Sequence, residues 1–221
     1  MHTTHSRFLL AGLPVQRLDF IPHSLTPADM QALPHAALLA RAVASRQAEH
    51  LAGRLAAGLA LREAGAEHGV PGIGTHREPL WPSGFIGSIT HTGCTALAVA
   101  VRQTDALHAL GIDCETPLDE ATAREIADET VTAAERRALA ASGLPFPLAL
   151  TLAFSAKESL FKALFARVGE GFGFEAAQVT ALDSRHITLR LAARLGPYPA
   201  AMTFTAHTLC ESGRVVTLIR A

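Results

Sequence analysis

Phe154-Ser155-Ala156-Lys157-Glu158-Ser159-Leu160-Phe161-Lys162 lies inside a stretch that reads as one helix, opened at Pro147 and carried to Val168, with Gly169 as its stop. Thr151, Ser155, Glu158 and Lys162 recur at spacings of 4, 3 and 4, which puts them on one face of that helix. Leu152, Leu160, Phe161 and Leu164 cover the other faces. A Glu four residues before a Lys is an ordinary helix pair, contributing about 0.3 kcal/mol. That accounts for Glu158 and Lys162 as a pair. It does not account for a polar stripe on a helix that is otherwise aliphatic and aromatic. The chain has 19 lysines and arginines, and Lys157 and Lys162 are its only lysines.

Upstream, Ala109 to Glu115 reads as a strand. Asp113 and Glu115 are two apart, so on a strand they face the same way. Two carboxylates facing one way repel unless a cation lies between them. An all-oxygen set suits Mg²⁺, which takes a few carboxylates and leaves other positions to water and phosphate. Taken as a dipeptide pattern alone, two solvated acids at a strand end are the favoured reading.

Working outward, Thr26 caps a helix with Pro27 in its first turn. A second helix is expected from Pro34 through Leu38, Val43, Leu51, Leu55 and Leu59 to a stop at Gly65. Gly69 to Pro82 reads as a loop. Phe85 to Thr90 and Thr95 to Val101 read as strands with Thr92-Gly93 near the turn. Asp119 to Asp128 is helical. Thr132-Ala133-Ala134-Glu135 is a capping-box pattern. Leu144 to Pro147 is a turn, and strands follow near His186–Leu191, Met202–Leu209 and Val215–Ile219. A helix followed by strands thus occurs on each side of about residue 110, giving two α+β lobes, 1–110 and 111–221.

Charge and composition exclude several classes. With 49% hydrophobic residues and a net charge of −1, the chain is neither disordered nor broadly attractive to nucleic acid or membrane surfaces. Cys94, Cys114 and Cys210 make neither a disulfide framework nor a zinc pattern, so a reducing cytoplasm is expected. No signal peptide and no membrane-spanning run is read.

A second group of residues suits phosphate. Gly87-Ser88-Ile89-Thr90-His91-Thr92-Gly93 offers hydroxyls, an imidazole and glycine backbone at an expected strand end. Arg46, His50 and Arg54 share a helix face, and Arg46 and Arg54 can each grip a phosphate with two parallel hydrogen bonds. Arg77 and Trp81 frame the loop before the strand. There is no P-loop and no His-Glu-x-x-His spacing. Three acids with nearby cations and hydroxyls fit a polyphosphate substrate.

Gly111-Ile112-Asp113-Cys114-Glu115, followed by Phe154-Ser155-Ala156-Lys157-Glu158-Ser159-Leu160-Phe161-Lys162, resembles the paired signatures of the 4′-phosphopantetheinyl transferases. Three further stretches resemble the enterobactin-synthase-component-D-like subgroup of that superfamily: Arg46 to Arg54, Trp81-Pro82 through Gly87 to His91, and Leu144 to Ser155. The resemblance covers roughly residues 34–190. It implies an α+β fold of two similar lobes related by a pseudo-twofold axis. Each lobe would be a small antiparallel sheet on a long helix, with coenzyme A in the cleft between them. It implies transfer of the phosphopantetheine arm of coenzyme A to a serine of an acyl or peptidyl carrier protein, releasing adenosine 3′,5′-bisphosphate.

By the same resemblance Asp113, Glu115 and Glu158 hold Mg²⁺ on the pyrophosphate. Lys162 is the family's second lysine, which with Asp113 and Glu158 makes the catalytic set. Arg46, Arg54, Arg77, Ser88, His91 and Lys157 join Lys162 in meeting coenzyme A. Two departures are Cys114, where a larger aliphatic is common, and Thr90-His91-Thr92 in place of Ser-His-Ser or Ser-His-Cys; neither removes a charge. The expected base is Glu158 or a water on the metal. The carrier would serve siderophore, polyketide or fatty-acid synthesis, and the enzyme is expected to be a monomer. The competing classes are a Mg²⁺-dependent phosphohydrolase and a non-catalytic module that binds coenzyme A or a carrier.

Overall fold

The computed structural model describes residues 1–31, 36–39, 41–67 and 69–221. It is a mixed α/β structure of antiparallel sheets and helices, and it divides into two compact units, Met1–Asp105 and Ala106–Ala221.

The first unit is built on α2 (Ala44–Glu63) and a four-stranded sheet in the order β1-β2-β6-β5. Its strands are β1 (Thr3–Leu10), β2 (Leu13–Phe20), β5 (Phe85–Thr92) and β6 (Thr95–Arg102). Alanine makes the contact: Ala48, Ala52, Ala56 and Ala60 of α2 are buried with Ala96, Ala98 and Ala100 of β6. Small side chains let helix and sheet approach closely, and a Cβ on Gly53 would lie 3.0 Å from Ile89 Cγ2. Alanine therefore shapes this core.

Several expectations need correction here. The long helix starts at Ala44, because Val43 is extended with φ −63° and ψ 152°. Leu38 belongs to a separate 3-10 turn (Ala36–Leu39), and Pro34 lies outside the described residues. The stop is as read: Gly65 takes φ +86° just beyond the C-cap Ala64. Thr26 caps α1 (Pro27–Gln31), its hydroxyl accepting from Asp29 N. The expected loop at 69–82 contains a small hairpin, β3 (Gly72–Ile73) with β4 (Pro79–Leu80). The N-terminal hairpin β1–β2 is present in the structure without a counterpart among the expected elements. Its turn, Ala11-Gly12, has positive φ at both residues (53° and 75°), the signature of a tight two-residue hairpin.

The second unit carries a five-stranded antiparallel sheet in the order β7-β11-β10-β9-β8. The strands are β7 (Leu110–Glu115), β8 (Ala177–Leu182), β9 (His186–Leu191), β10 (Thr203–Glu211) and β11 (Arg214–Arg220). α3 (Glu120–Thr130) starts from the Asp119 cap, and α4 (Ala133–Ala141) from the Thr132–Glu135 capping box. α5 (Phe146–Val168) ends at Gly169, φ +78°. α5 packs on β7 and β11, with Leu160, Ala163 and Leu164 buried in one core with Val215 and Ile219. Of these strands, β8 alone has no counterpart among the expected elements. Among the described residues no single helix is long and apolar enough to cross a membrane, and no disulfide joins Cys94, Cys114 and Cys210.

Candidate active site

The second unit brings four of the expected residues together. β7 and β11 are antiparallel, with Asp113 opposite Thr217 and Glu115 opposite Val215. The face of β7 that carries Gly111, Asp113 and Glu115 turns toward α5. A Cβ on Gly111 would overlap the Ser159 carbonyl oxygen and lie 2.7 Å from Ala163 N. Only glycine admits the helix at that height. Glu158 and Lys162 then face the strand acids, and Lys162 Nζ donates to Asp113 Oδ1 at 2.7 Å. Asp113 is buried (3% exposed), and the Lys162 side chain is a quarter exposed.

The acids sense one another. Burial, then the Asp113 charge and to a lesser degree Glu158, push the Glu115 carboxyl up to about 7, against the opposing pull of Lys162. Glu158 is also raised, chiefly by burial, with Lys162 lowering and Asp113 raising it. Desolvation and like charge therefore both favour protons at this site unless more positive charge is supplied.

A pH dependence follows. A carboxyl raised in the fold binds more protons folded than unfolded, so its stabilising contribution is lost as pH rises from its ordinary value near 4.5 through the folded value near 7. In chelator, wild-type thermal stability should fall between these pH values more than that of Glu115→Gln. Equal slopes for the two proteins would contradict the coupling. The lowered groups Asp29, Asp119 and Asp183 act with the opposite sign and at lower pH.

Among the described residues no three His, Cys, Asp or Glu side chains are gathered tightly enough to hold a metal ion as they stand. The cation facing these acids is the Lys162 ammonium. The donor set nevertheless fits Mg²⁺. It is oxygen only, two of its members are raised chiefly by burial with like charge adding to it, and Mg²⁺ needs only one or two carboxylates beside water and phosphate.

Lys157 has partners unlike those the resemblance implied. Its ammonium pairs with Glu135 Oε1 at 2.7 Å and donates to the carbonyls of Thr130 and Phe174 at 2.9 and 3.0 Å. An ammonium has three protons, so none is left for a coenzyme phosphate. Helix geometry is the reason: Lys157 is one residue, about 100°, from Glu158 and points into α3, α4 and the 3-10 turn at Phe174–Ala176. Glu135 was noticed in sequence only as a cap; it also accepts from Val179 N of β8 at 2.9 Å.

In the first unit, Arg46 Nη1 lies 2.8 Å from His91 Nε2 and 3.1 Å from Glu49 Oε2. Arginine can only donate, so Nε2 accepts and the imidazole proton sits on Nδ1, which faces Glu49 Oε2 at 3.7 Å. Glu49 was missed in sequence, where only its i−3 spacing to Arg46 could have pointed to it. Ser88 is mid-strand rather than at a strand end, and an odd spacing puts it and His91 on opposite faces of β5. Arg77 is exposed in the β3–β4 turn with φ +68°.

Arg54 is the most unusual group in this unit. It is 5% exposed, and burial pulls its guanidinium down to about 10. Nη2 donates to Gly72 O at 3.1 Å, while Nε is buried without a hydrogen-bond partner. Among the described residues no carboxylate pairs with it. A buried cation without a counter-charge is costly, and an anionic ligand would offset that cost.

An oxygen-rich acid site with a lysine, and a buried arginine without a carboxylate partner among the described residues, suit a phosphate-bearing ligand, and the comparisons give the family. Residues 34–101 match the 4′-phosphopantetheinyl transferase N-terminal domain, and residues 109–218 match the 4′-phosphopantetheinyl transferase superfamily. The chain belongs to that superfamily and is an enzyme of that class. It is 44% identical over 221 residues, all of this chain and 92% of the relative, to enterobactin synthase component D of Salmonella typhi. It is 48% identical over 172 residues, 78% of this chain and 81% of the relative, to that of Escherichia coli K12. The 4′-phosphopantetheinyl transferase PptT of Mycobacterium tuberculosis is 35% identical over 209 residues, 90% of this chain and 87% of that protein.

Proposed function

We propose that the protein transfers the 4′-phosphopantetheine arm of coenzyme A to a serine of an acyl or peptidyl carrier protein in a Mg²⁺-dependent reaction that releases adenosine 3′,5′-bisphosphate. The observation that carries the mechanism is the meeting of Asp113, Glu115 and Glu158 with Lys162. Held by the three carboxylates, Mg²⁺ would supply charge neutralisation for the pyrophosphate of coenzyme A.

The chain's own residues supply the remainder. The carrier serine oxygen forms a bond to the β-phosphorus as the bond from that phosphorus to the bridging oxygen breaks. The electron pair leaves on adenosine 3′,5′-bisphosphate. Glu158, whose carboxyl burial holds above its ordinary value, takes the serine proton. Lys162 offsets the charge growing on the leaving group as a compact ammonium. Asp113 holds Lys162 in place.

Arg54 is assigned to the adenosine 3′-phosphate, with Arg46, His91, Ser88 and Arg77 as further coenzyme contacts. Arg54→Ala should raise the KM for coenzyme A about 10- to 100-fold, the worth of a hydrogen bond to a charged group. The KM for 3′-dephospho-coenzyme A should barely move. Equal losses for both would remove Arg54 from the 3′-phosphate.

The identity to enterobactin synthase component D supports a siderophore-synthesis carrier as the acceptor. The cysteine pattern, three widely spaced residues with neither a disulfide framework nor zinc spacing, supports a reducing cytoplasm. The test is mass spectrometry of apo-carriers incubated with the enzyme, coenzyme A and Mg²⁺. A phosphopantetheine mass gain on the carrier serine is expected. Phosphate release from small esters without any carrier would favour a phosphohydrolase instead.

A further inference from the structure

We propose that Thr217 is a positioning residue for the transfer reaction, its hydroxyl fixing the rotation of α5 so that Glu158 and Lys162 face the acids of β7. The proposal rests on the reading of Asp113, Glu115 and Glu158 as the reactive site.

Thr217 is fully buried in β11, directly opposite Asp113 across the strand pair. Opposed residues of an antiparallel pair project to the same face, so both turn toward α5. Each meets a different row of the helix. Asp113 meets Lys162. Thr217 Oγ1 lies 2.9 Å from Ser155 Oγ and 2.7 Å from Ser159 Oγ, and Ser159 Oγ also donates to Thr217 O at 3.0 Å. Ser155, Glu158, Ser159 and Lys162 are spaced i, i+3, i+4 and i+7, one stripe of α5 in two parallel rows. The hydroxyl row is anchored on Thr217, and the charged row faces β7.

Core stability does not require these hydroxyls. Thr217 lies between Val215 and Ile219 on one strand face, both buried in the apolar core. Hydroxyls buried there must be fully hydrogen-bonded merely to avoid a penalty. Leu152, Leu160 and Leu164 of α5 are buried in the apolar core, but apolar packing is non-directional, and the close approach at Gly111 sets the height of the helix without a polar contact. What the three hydroxyls add is direction. A turn of α5 by one residue would break the Ser155 and Ser159 contacts together and swing Glu158 and Lys162 off the acids.

The test compares Thr217→Val, which keeps the shape and removes the hydroxyl, with Thr217→Ser, which keeps the hydroxyl. Mn²⁺ binding in the presence of coenzyme A, followed by electron paramagnetic resonance, is read beside kcat, the KM for carrier, and the melting temperature. In Thr217→Val, Mn²⁺ affinity and kcat should each fall about tenfold with the carrier KM unchanged, the pattern of misplaced groups on a folded scaffold. Thr217→Ser should restore both. Mn²⁺ affinity and kcat like wild type in Thr217→Val, or a serine variant no better than valine, would overturn the proposal. If valine melts the fold, Ser159→Ala, which removes one hydroxyl and its two contacts with Thr217 from a helix position suited to alanine, is read for the same fall in Mn²⁺ affinity and kcat. Asp113→Ala separates the two readings. If it still modifies carriers well, the acid site itself is wrong. If it is inactive while Thr217→Val is normal, only the positioning role fails.

Discussion

Asp113→Ala should lower carrier modification at least about 10²–10³-fold, the scale of losing one electrostatic contact made in the transition state, while leaving a folded protein. Two effects combine. One of three acids is lost, and Lys162 loses the partner that holds its ammonium at 2.7 Å. Lys162 is partly exposed, so its freed charge can reach water and the fold need not suffer. Loss of the Asp113 charge also removes one of the causes that raise Glu115, whose carboxyl should then titrate below about 7. Mass spectrometry of the carrier with circular dichroism of the variant checks both halves. Near wild-type modification would sink the assignment of this site.

The second large effect falls on stability. Glu135→Ala should destabilise the protein by about 3–5 kcal/mol, because removing one partner of a buried ion pair strands the other. The side chains of Glu135 and Lys157 are 1% and 4% exposed. Burial alone would raise the Glu135 carboxyl, but Lys157 and the N–H groups of Thr132 and Val179 outweigh it, and it titrates below the ordinary glutamate value. The pair joins the end of α3, the cap of α4, β8 and the turn at Phe174 in one network. Glu135→Ala with Lys157→Met should recover part of the loss, since two apolar groups leave no stranded charge. Denaturant unfolding measures this, and a cost below about 1 kcal/mol, the scale of a helix cap alone, would mean that the ion pair contributes little.

Much of this could be read from particular residues. The Thr132–Glu135 box, the Gly65 and Gly169 stops and the Asp113/Glu115 alternation are local signals, set by backbone preference and side-chain period. The elements that escaped reading are those whose signal is not local. β1 and β2 carry little alternation; β1 is largely exposed at a sheet edge, and their turn needs positive φ at an alanine. The start of α2 was misplaced because apolar spacing through Leu38 and Val43 continues the helix pattern, while Val43 is in fact extended. Glu49 and Thr217 also have partners far away in sequence, His91 and Ser155, 42 and 62 residues off respectively.

The opening helix shows where the division falls. The sequence alone determined that Thr151, Ser155, Glu158 and Lys162 share a face, because helical period is a property of the backbone and needs no partner. It determined too that Asp113 and Glu115 face one way, and it carried the family's signatures. It could not tell the two lysines apart in role. Only the tertiary structure sent Lys162 to Asp113 and sealed Lys157 against Glu135. That choice depends on which strand lies under which turn of α5. It is fixed by the close approach at Gly111 and the hydroxyl contacts at Thr217, long-range contacts that no local pattern encodes.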